Sequence, residues 1–192
     1  NMDNNGIGSP ETYIACYQWF IAPTRVDGVG KPRPDLAPDV INNSWSCLES
    51  EGCTDPNVLL LAVQNVRAAG ILTSHSAGNS GPNCSTVNAP AGIYAESFTV
   101  GATTSTDTLA SFSSRGQVTV DGSNRPKPDI SAPGVGIRST YKGGTYASMS
   151  GTSMASPHVA GLAALLISVD PSMRGQVEAL ETAIELTAKG IS

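Results

Sequence analysis

The sequence predicts an α/β fold, a mostly parallel sheet with helices on both faces. Three observations lead there. Strand and helix patterns alternate along most of the chain, and the connections between them are mostly short. A nearly all-apolar stretch, Met154 to Val169, reads as a helix buried against such a sheet. No internal repeat is present, which argues against a solenoid or propeller.

The elements follow in order. Ser9-Pro10-Glu11-Thr12 is a helix start, with a capping hydroxyl, Pro in the first turn and an acid. Tyr13, Ile14, Tyr17, Phe20 and Ile21 continue at helical spacing, and Pro23 stops the helix. Residues 24–38 are a Pro- and Gly-rich loop without periodicity. Asp39 to Ser44 is a short strand leading into Trp45. Thr54-Asp55-Pro56 opens a second helix that runs through Val66 and Ala69 to a stop at Gly70. Ile71 to Ser76 is the next strand, residues 77–82 a tight loop, and Ser97 to Ala102 a further strand. Residues 115–129 are a surface hairpin, and Val135 to Thr140 is one more strand. Asp170-Pro171-Ser172 begins a final amphipathic helix through Val177, Leu180, Ala183 and Leu186.

Composition narrows the function. The 192 residues suit one domain or most of one, and 40% apolar content suffices for a sizeable core. Net charge is -5 and no Lys/Arg block exists, which excludes a nucleic-acid footprint. The longest apolar run, Val159 to Val169, is far short of the ~20 residues of a membrane span. The opening Asn-Met-Asp-Asn-Asn-Gly shows no apolar signal core. Of the four cysteines, Cys47 and Cys53 flank a short acidic segment that suits a small-loop disulfide. The spacing does not choose among three full pairings. Cys16 reads as a buried thiol, and no zinc-type cluster is present. Partial disulfide use fits an exported protein.

Chemistry concentrates in Ser150-Gly-Thr-Ser153-Met-Ala-Ser-Pro-His-Val-Ala-Gly161. Ser153 starts the apolar helix, so its N–H lies at the positive end of the helix dipole, where an oxyanion is stabilised. Gly151 lets backbone approach a substrate. The plainer reading makes Ser153 a cap of a core helix, and residue chemistry alone does not separate the two.

This stretch resembles the serine signature of the subtilisin-like proteases. Further blocks match in order: Asp39–Trp45, Ser76–Pro82, Ser97–Ala102, Ala110–Gly116 and Lys127–Val135. The resemblance covers about residues 1–170. It implies a three-layer subtilisin-like fold whose N-terminal part is missing, with residues 1–192 a single partial peptidase domain. It implies a serine endopeptidase acting on peptide or protein substrates, secreted, and needing no cofactor for its chemistry.

Roles carry over residue by residue. Ser153 matches the nucleophile and Asn79 the side-chain oxyanion donor. Ser44, Trp45 and Ser46 match one wall of the specificity pocket, and Ser76, Ala77 and Gly78 the other. Ser46 and Cys47 stand where the family often has small residues or Gly, so the pocket's shape departs from the common pattern. Gly6, Ile7 and Gly8 resemble the edge that pairs with substrate backbone; the plainer reading is an Asn-Gly turn. Met154 lines the leaving-group side, and Ala89-Pro90 sits at a position often cis in the family. Structural calcium is implied too. Its ligands are unknown, and the backbone carbonyls from Ala89 to Glu96 are the candidate. The triplets at Asn42 and Asn83 read as coincidental glycosylation matches.

The family's Asp and His blocks are not in the sequence. His158 lies five residues after Ser153 on the same helix, and His75 is off the family's base position, so neither is expected to be the base. Asp107, Asp121 and Asp129 read as turn or cap residues. The fragment alone is therefore expected to be inactive, its partner being the missing N-terminal segment. The alternative is a non-catalytic peptide-binding pseudoprotease. An esterase is disfavoured, since no Gly-x-Ser-x-Gly elbow occurs.

Overall fold

The computed structural model describes residues 2–3 and 5–190. Its elements are α1 (Pro10–Ile21), β1 (Val40–Asn43), α2 (Leu60–Ala68), β2 (Leu72–Ser76), β3 (Phe98–Thr103), β4 (Gly116–Gln117), β5 (Pro126–Lys127), β6 (Ile130–Pro133), β7 (Ile137–Tyr141), β8 (Thr145–Met149), α3 (Thr152–Val169) and α4 (Val177–Thr187). The main sheet is parallel in the order β1-β2-β3-β6, with Val40 opposite Leu72, Ser74 opposite Phe98 and Val100 opposite Ile130.

Side-chain alternation sends the two faces into separate cores. Ile41 and Ile71 pack with Tyr13 and Tyr17 of α1 and Val63 and Val66 of α2. Leu72, Phe98, Val100 and Ala102 pack with Ala155, Val159 and Ala163 of α3 and Leu180 and Ile184 of α4. This is the expected three-layer α/β arrangement. β2 and β3 are buried along their whole length, as central parallel strands are. At the rim the bidentate Arg67–Glu181 pair ties α2 to α4 at 2.6 and 2.7 Å.

The local signals hold at α1. Ser9 Oγ accepts from Thr12 N–H, and Thr12 Oγ1 accepts from Ser9 N–H, closing a capping box. Gly70 follows α2 at φ +80°, where a Cβ would meet Gly175 Cα at 2.9 Å.

Several expectations need correction. α2 starts at Leu60, not near Thr54. Asp55 draws Asn57 N–H into a side-chain turn, and the Tyr94 hydroxyl takes Leu59 N–H while donating to Pro56 O. The strand expected at 135–140 is half of an exposed ribbon, β7 paired antiparallel with β8. Neither β8 nor β6 is legible as a strand in the sequence. β6 is only four residues long and ends in Pro133. The helix expected to be buried all round is not. Leu162, Leu165 and Val169 of α3 are exposed at 43, 64 and 85%. At 18 residues and mean hydropathy 1.4, α3 is long and apolar enough to cross a membrane by length and composition alone. Its packing against β2 and β3 places it in a core instead. Cys47 and Cys53 are disulfide-bonded, Cys16 is a half-buried free thiol and Cys84 an exposed one. The Ala89–Pro90 bond is trans; the next one, Pro90–Ala91, is cis.

Candidate active site

The fold brings Ser153, Asn79 and Ser44 together from α3, the loop after β2 and the end of β1. Gly151 N–H donates to Gly134 O at 2.8 Å, which fixes the entry to α3. Gly134 leaves no room for a side chain, because a Cβ there would lie 2.6 Å from Ala102 Cβ and 2.8 Å from Gly151 O. Ser153 thus sits in the first turn of an 18-residue helix. N–H groups of a first turn have no intrahelical partner. Ser153 Oγ donates to Ser44 O at 3.3 Å, and Ser44 Oγ donates back to Ser153 O at 2.8 Å. Pro157 makes the second bond available. It is four residues after Ser153 and has no N–H to give to that carbonyl.

Asn79 is held by its oxygen. Oδ1 accepts from Thr152 N–H at 2.9 Å and from Thr152 Oγ1 at 3.1 Å, while Thr152 Oγ1 also accepts from Gly78 N–H at 3.1 Å. The amide orientation follows from these bonds, and the Nδ2 hydrogens have no partner among the described residues. Asn79 is exposed, so its NH₂ is an open pair of donors, held through Thr152, the residue before Ser153. Gly78 has φ +100°, and a Cβ there would be 2.9 Å from Ser114 Oγ. Ser114 backs the loop with two bonds, its N–H to Gly78 O at 3.0 Å and its Oγ accepting from Ser80 N–H at 3.1 Å. Thr152 and Ser114 are site-shaping residues that sequence reasoning did not assign. The signal was present only as their place inside the two matched blocks.

Ser76 ends β2 and Ala77 follows it, with Ala77 N–H donating to Val100 O at 3.0 Å. Ser44, Trp45 and Ser46 follow β1, and the main-chain N–H groups of Trp45 and Ser46 have no partner among the described residues. Cys47 N–H is anchored to Pro90 O at 2.7 Å. A cavity of about 420 Å³ lies behind Cys47, lined also by Leu48, Cys53, Asn88, Ala89 and Pro90.

Gly6, Ile7 and Gly8 do not form an extended edge. They close a turn on Asp3, which accepts Gly6 N–H at its carbonyl (3.1 Å) and Ile7 N–H at its carboxylate (2.9 Å). Gly6 has φ +79°, and Gly8 N–H donates to Glu51 at 3.0 Å. The turn reading applies to this conformation, because the N–H groups of all three residues are already used.

Neither histidine is a hydrogen-bond partner of Ser153. His158 is exposed and its Nδ1 lies 2.8 Å from Met154 O in its own helix. His75 is fully buried between Tyr17 and Asn43, each 3.4 Å from Nε2, with Trp45 edge-on. Burial first, and the Lys127 charge second, push its pKa down to about 3. It is a neutral core histidine.

The carbonyls proposed for calcium are engaged. Ser97 Oγ donates to Ala91 O at 2.8 Å, Thr99 Oγ1 to Gly92 O at 2.6 Å and the Arg125 guanidinium to Ile93 O. The buried Lys127 ammonium holds Ser97 O and Asp129. The Arg125 guanidinium stands on Ile93 O and the Lys127 ammonium on the adjoining Ser97 O, so this segment does not fit a calcium ion.

Comparisons with known proteins agree with this fold. The model of the subtilase family matches residues 1–191. Bacillopeptidase F of Bacillus subtilis (strain 168) is 38% identical over 96% of this chain and 12% of its own length. Subtilisin E of the same organism is 43% identical over 89% of this chain and 38% of its own. The crystal structure of a cold adapted subtilisin-like serine proteinase superposes with a TM-score of 0.74 at 28% identity, covering 97% of this chain and 57% of that one. The chain thus spans well under two thirds of the length of these relatives. With the matched blocks assembled around Ser153, the chain belongs to the subtilase family.

Proposed function

We propose that this chain is part of a serine endopeptidase domain in which Ser153 is the nucleophile and Asn79 an oxyanion donor. The single observation that carries this reading is the Asn79–Thr152 clamp. It uses the amide oxygen and leaves the NH₂ open beside the first turn of α3. Ser153 Oγ attacks the scissile carbonyl carbon and its proton passes to a general base. The carbonyl oxygen becomes an oxyanion facing Asn79 Nδ2 and Ser153 N–H. Collapse expels the amine, which takes up the proton, and leaves an acyl-serine that water then hydrolyses. The substrate is an extended peptide lying along Ser44–Ser46, whose unpaired N–H groups suit strand addition, with Ser76–Gly78 as the opposite wall.

The base and its orienting acid belong, in this proposal, to a further segment of the same domain. Support comes from the open outer edge of β1 and the exposed apolar stripe of α3, surfaces that a domain covers. The chain by itself is inactive on this reading. Secretion is part of the proposal, supported by family membership and by the Cys47–Cys53 disulfide. No cofactor is required. A non-catalytic peptide-binding role is the second reading, favoured by the lack of an imidazole on Ser153 among the described residues. A serine-directed phosphonate separates the two. The full-length protein should be labelled at Ser153, and Ser153→Ala should abolish labelling. Unlabelled but folded full-length protein refutes the peptidase reading.

A further inference from the structure

Glu51 makes three contacts from one carboxylate, two of them to residues distant in the chain. Oε1 accepts from Gly8 N–H and from the Tyr13 hydroxyl, both at 3.0 Å, and Oε2 accepts from Leu48 N–H at 3.0 Å. These bonds join segments 43 and 38 residues apart. Tyr13 is fully buried and its ring stacks on Trp45, centroids 4.2 Å apart and planes 12° apart. Gly8 is fitted against that ring, because a Cβ there would lie 2.4 Å from Tyr13 Cζ. The loop carrying Glu51 is closed by the Cys47–Cys53 disulfide, and Cys47 is anchored to Pro90. Glu51 therefore has little freedom relative to Ser44–Ser46.

We infer that Glu51 is a positioning residue for extended substrates, fixing the Gly6–Gly8 turn at a set distance from the Ser44–Ser46 segment. The inference rests on the peptidase reading, in which substrate lies along Ser44–Ser46. Gly8 N–H is consumed by the carboxylate, and the carbonyls of Gly6 and Gly8 have no partner among the described residues. On this inference the turn offers acceptors, not donors, to a substrate main chain, and Glu51 fixes where they stand. Truncating Glu51 leaves Gly8 N–H, Leu48 N–H and the buried Tyr13 hydroxyl without their acceptor, so the turn and Trp45 lose their common tie.

The test compares a chromogenic hexapeptide anilide with a single-residue ester on the full-length protein. Glu51→Ala should cut kcat/KM for the hexapeptide about tenfold, mainly through KM, and leave the ester within about twofold. Glu51→Gln keeps an oxygen for Gly8 and Tyr13 and should restore most of the loss. Tyr13→Phe removes one of the three bonds but keeps the ring on Trp45; it should weaken hexapeptide binding less, and serves if Glu51→Ala does not fold. Equal losses on both substrates, or an unchanged hexapeptide KM in the folded variants, overturn the inference. Failure of the peptidase reading looks different: wild type then hydrolyses neither substrate and is not labelled at Ser153.

Discussion

His75 gives a quantitative test of how the polar strand β2 is buried. The folded protein holds its imidazole neutral, with a pKa of about 3, while the unfolded chain titrates near 6.5. Protons then bind preferentially to the unfolded state as the pH falls through 6.5, and stability that is complete above neutrality is lost progressively down to about pH 3. Each unit is worth about 1.4 kcal/mol, so between pH 7.5 and 4.5 this one residue removes about 3 kcal/mol. The comparison is wild type against His75→Gln, which offers an acceptor to Tyr17 and Asn43 and cannot titrate. Urea unfolding of both at pH 7.5 and 4.5 gives four free energies, and all other groups cancel in the double difference. The substitution should cost stability at pH 7.5 and cost about 3 kcal/mol less, or even stabilise, at pH 4.5. Parallel pH dependence in the two proteins would refute the reasoning, since it would mean that the folded state protonates His75 as readily as the unfolded one.

Three further outcomes follow from contacts at the site. Asn79→Ala should lower kcat about 10²–10³-fold, the range established for a subtilisin oxyanion donor and not one worked out from this geometry; it should also cost about 1 kcal/mol in thermal unfolding, because Thr152 N–H loses its cap. A kcat drop below tenfold would remove Asn79 from the oxyanion site. Gly78→Ala combines φ +100° with a 2.9 Å approach to Ser114 Oγ and should cost about 1–3 kcal/mol; Ser114→Ala should relieve part of it in a double-mutant cycle, and strict additivity would contradict the clash. Lys127→Met removes a buried ammonium from Asp129 and Ser97 O and should cost about 3 kcal/mol in denaturant unfolding. If calcium, rather than Lys127, held residues 91–97, that variant would unfold like wild type and chelation would be the damaging step.

Much of the fold was legible because local rules and tertiary packing agree. The capping box at Ser9, the stop at Gly70 and the apolar pattern of α1 carry their meaning within a few residues. β6 and β8 lacked such a signal. β6 exists because Val100–Thr103 of β3 offer it a ladder, and β8 because β7 folds back onto it. Gly6–Gly8 could be read either way from sequence, and Asp3 and Glu51 decide in favour of the turn by taking the N–H groups that an edge strand would need. The Ala89–Glu96 segment does not suit calcium for a related reason. Its carbonyls are readable as a cluster, but the Ser97, Thr99 and Arg125 side chains that claim them are placed by the fold.

Pro157 shows how a site depends on such distant pairings. Inside a helix a proline costs an N–H···O bond and normally reads as a defect. Here the carbonyl it leaves open belongs to Ser153, and Ser44 Oγ, 109 residues away, fills it. The same serine offers its own carbonyl to Ser153 Oγ. Ser153 is thus tied at two points to Ser44, just after β1 and on the peptidase reading part of the segment that receives the peptide, and one of those points exists because the helix is imperfect. A regular helix with an N–H at residue 157 would compete for Ser153 O and slacken the link between Ser153 and Ser44. The local irregularity in α3 is therefore part of how the fold sets the distance between Ser153 Oγ and the segment that follows β1.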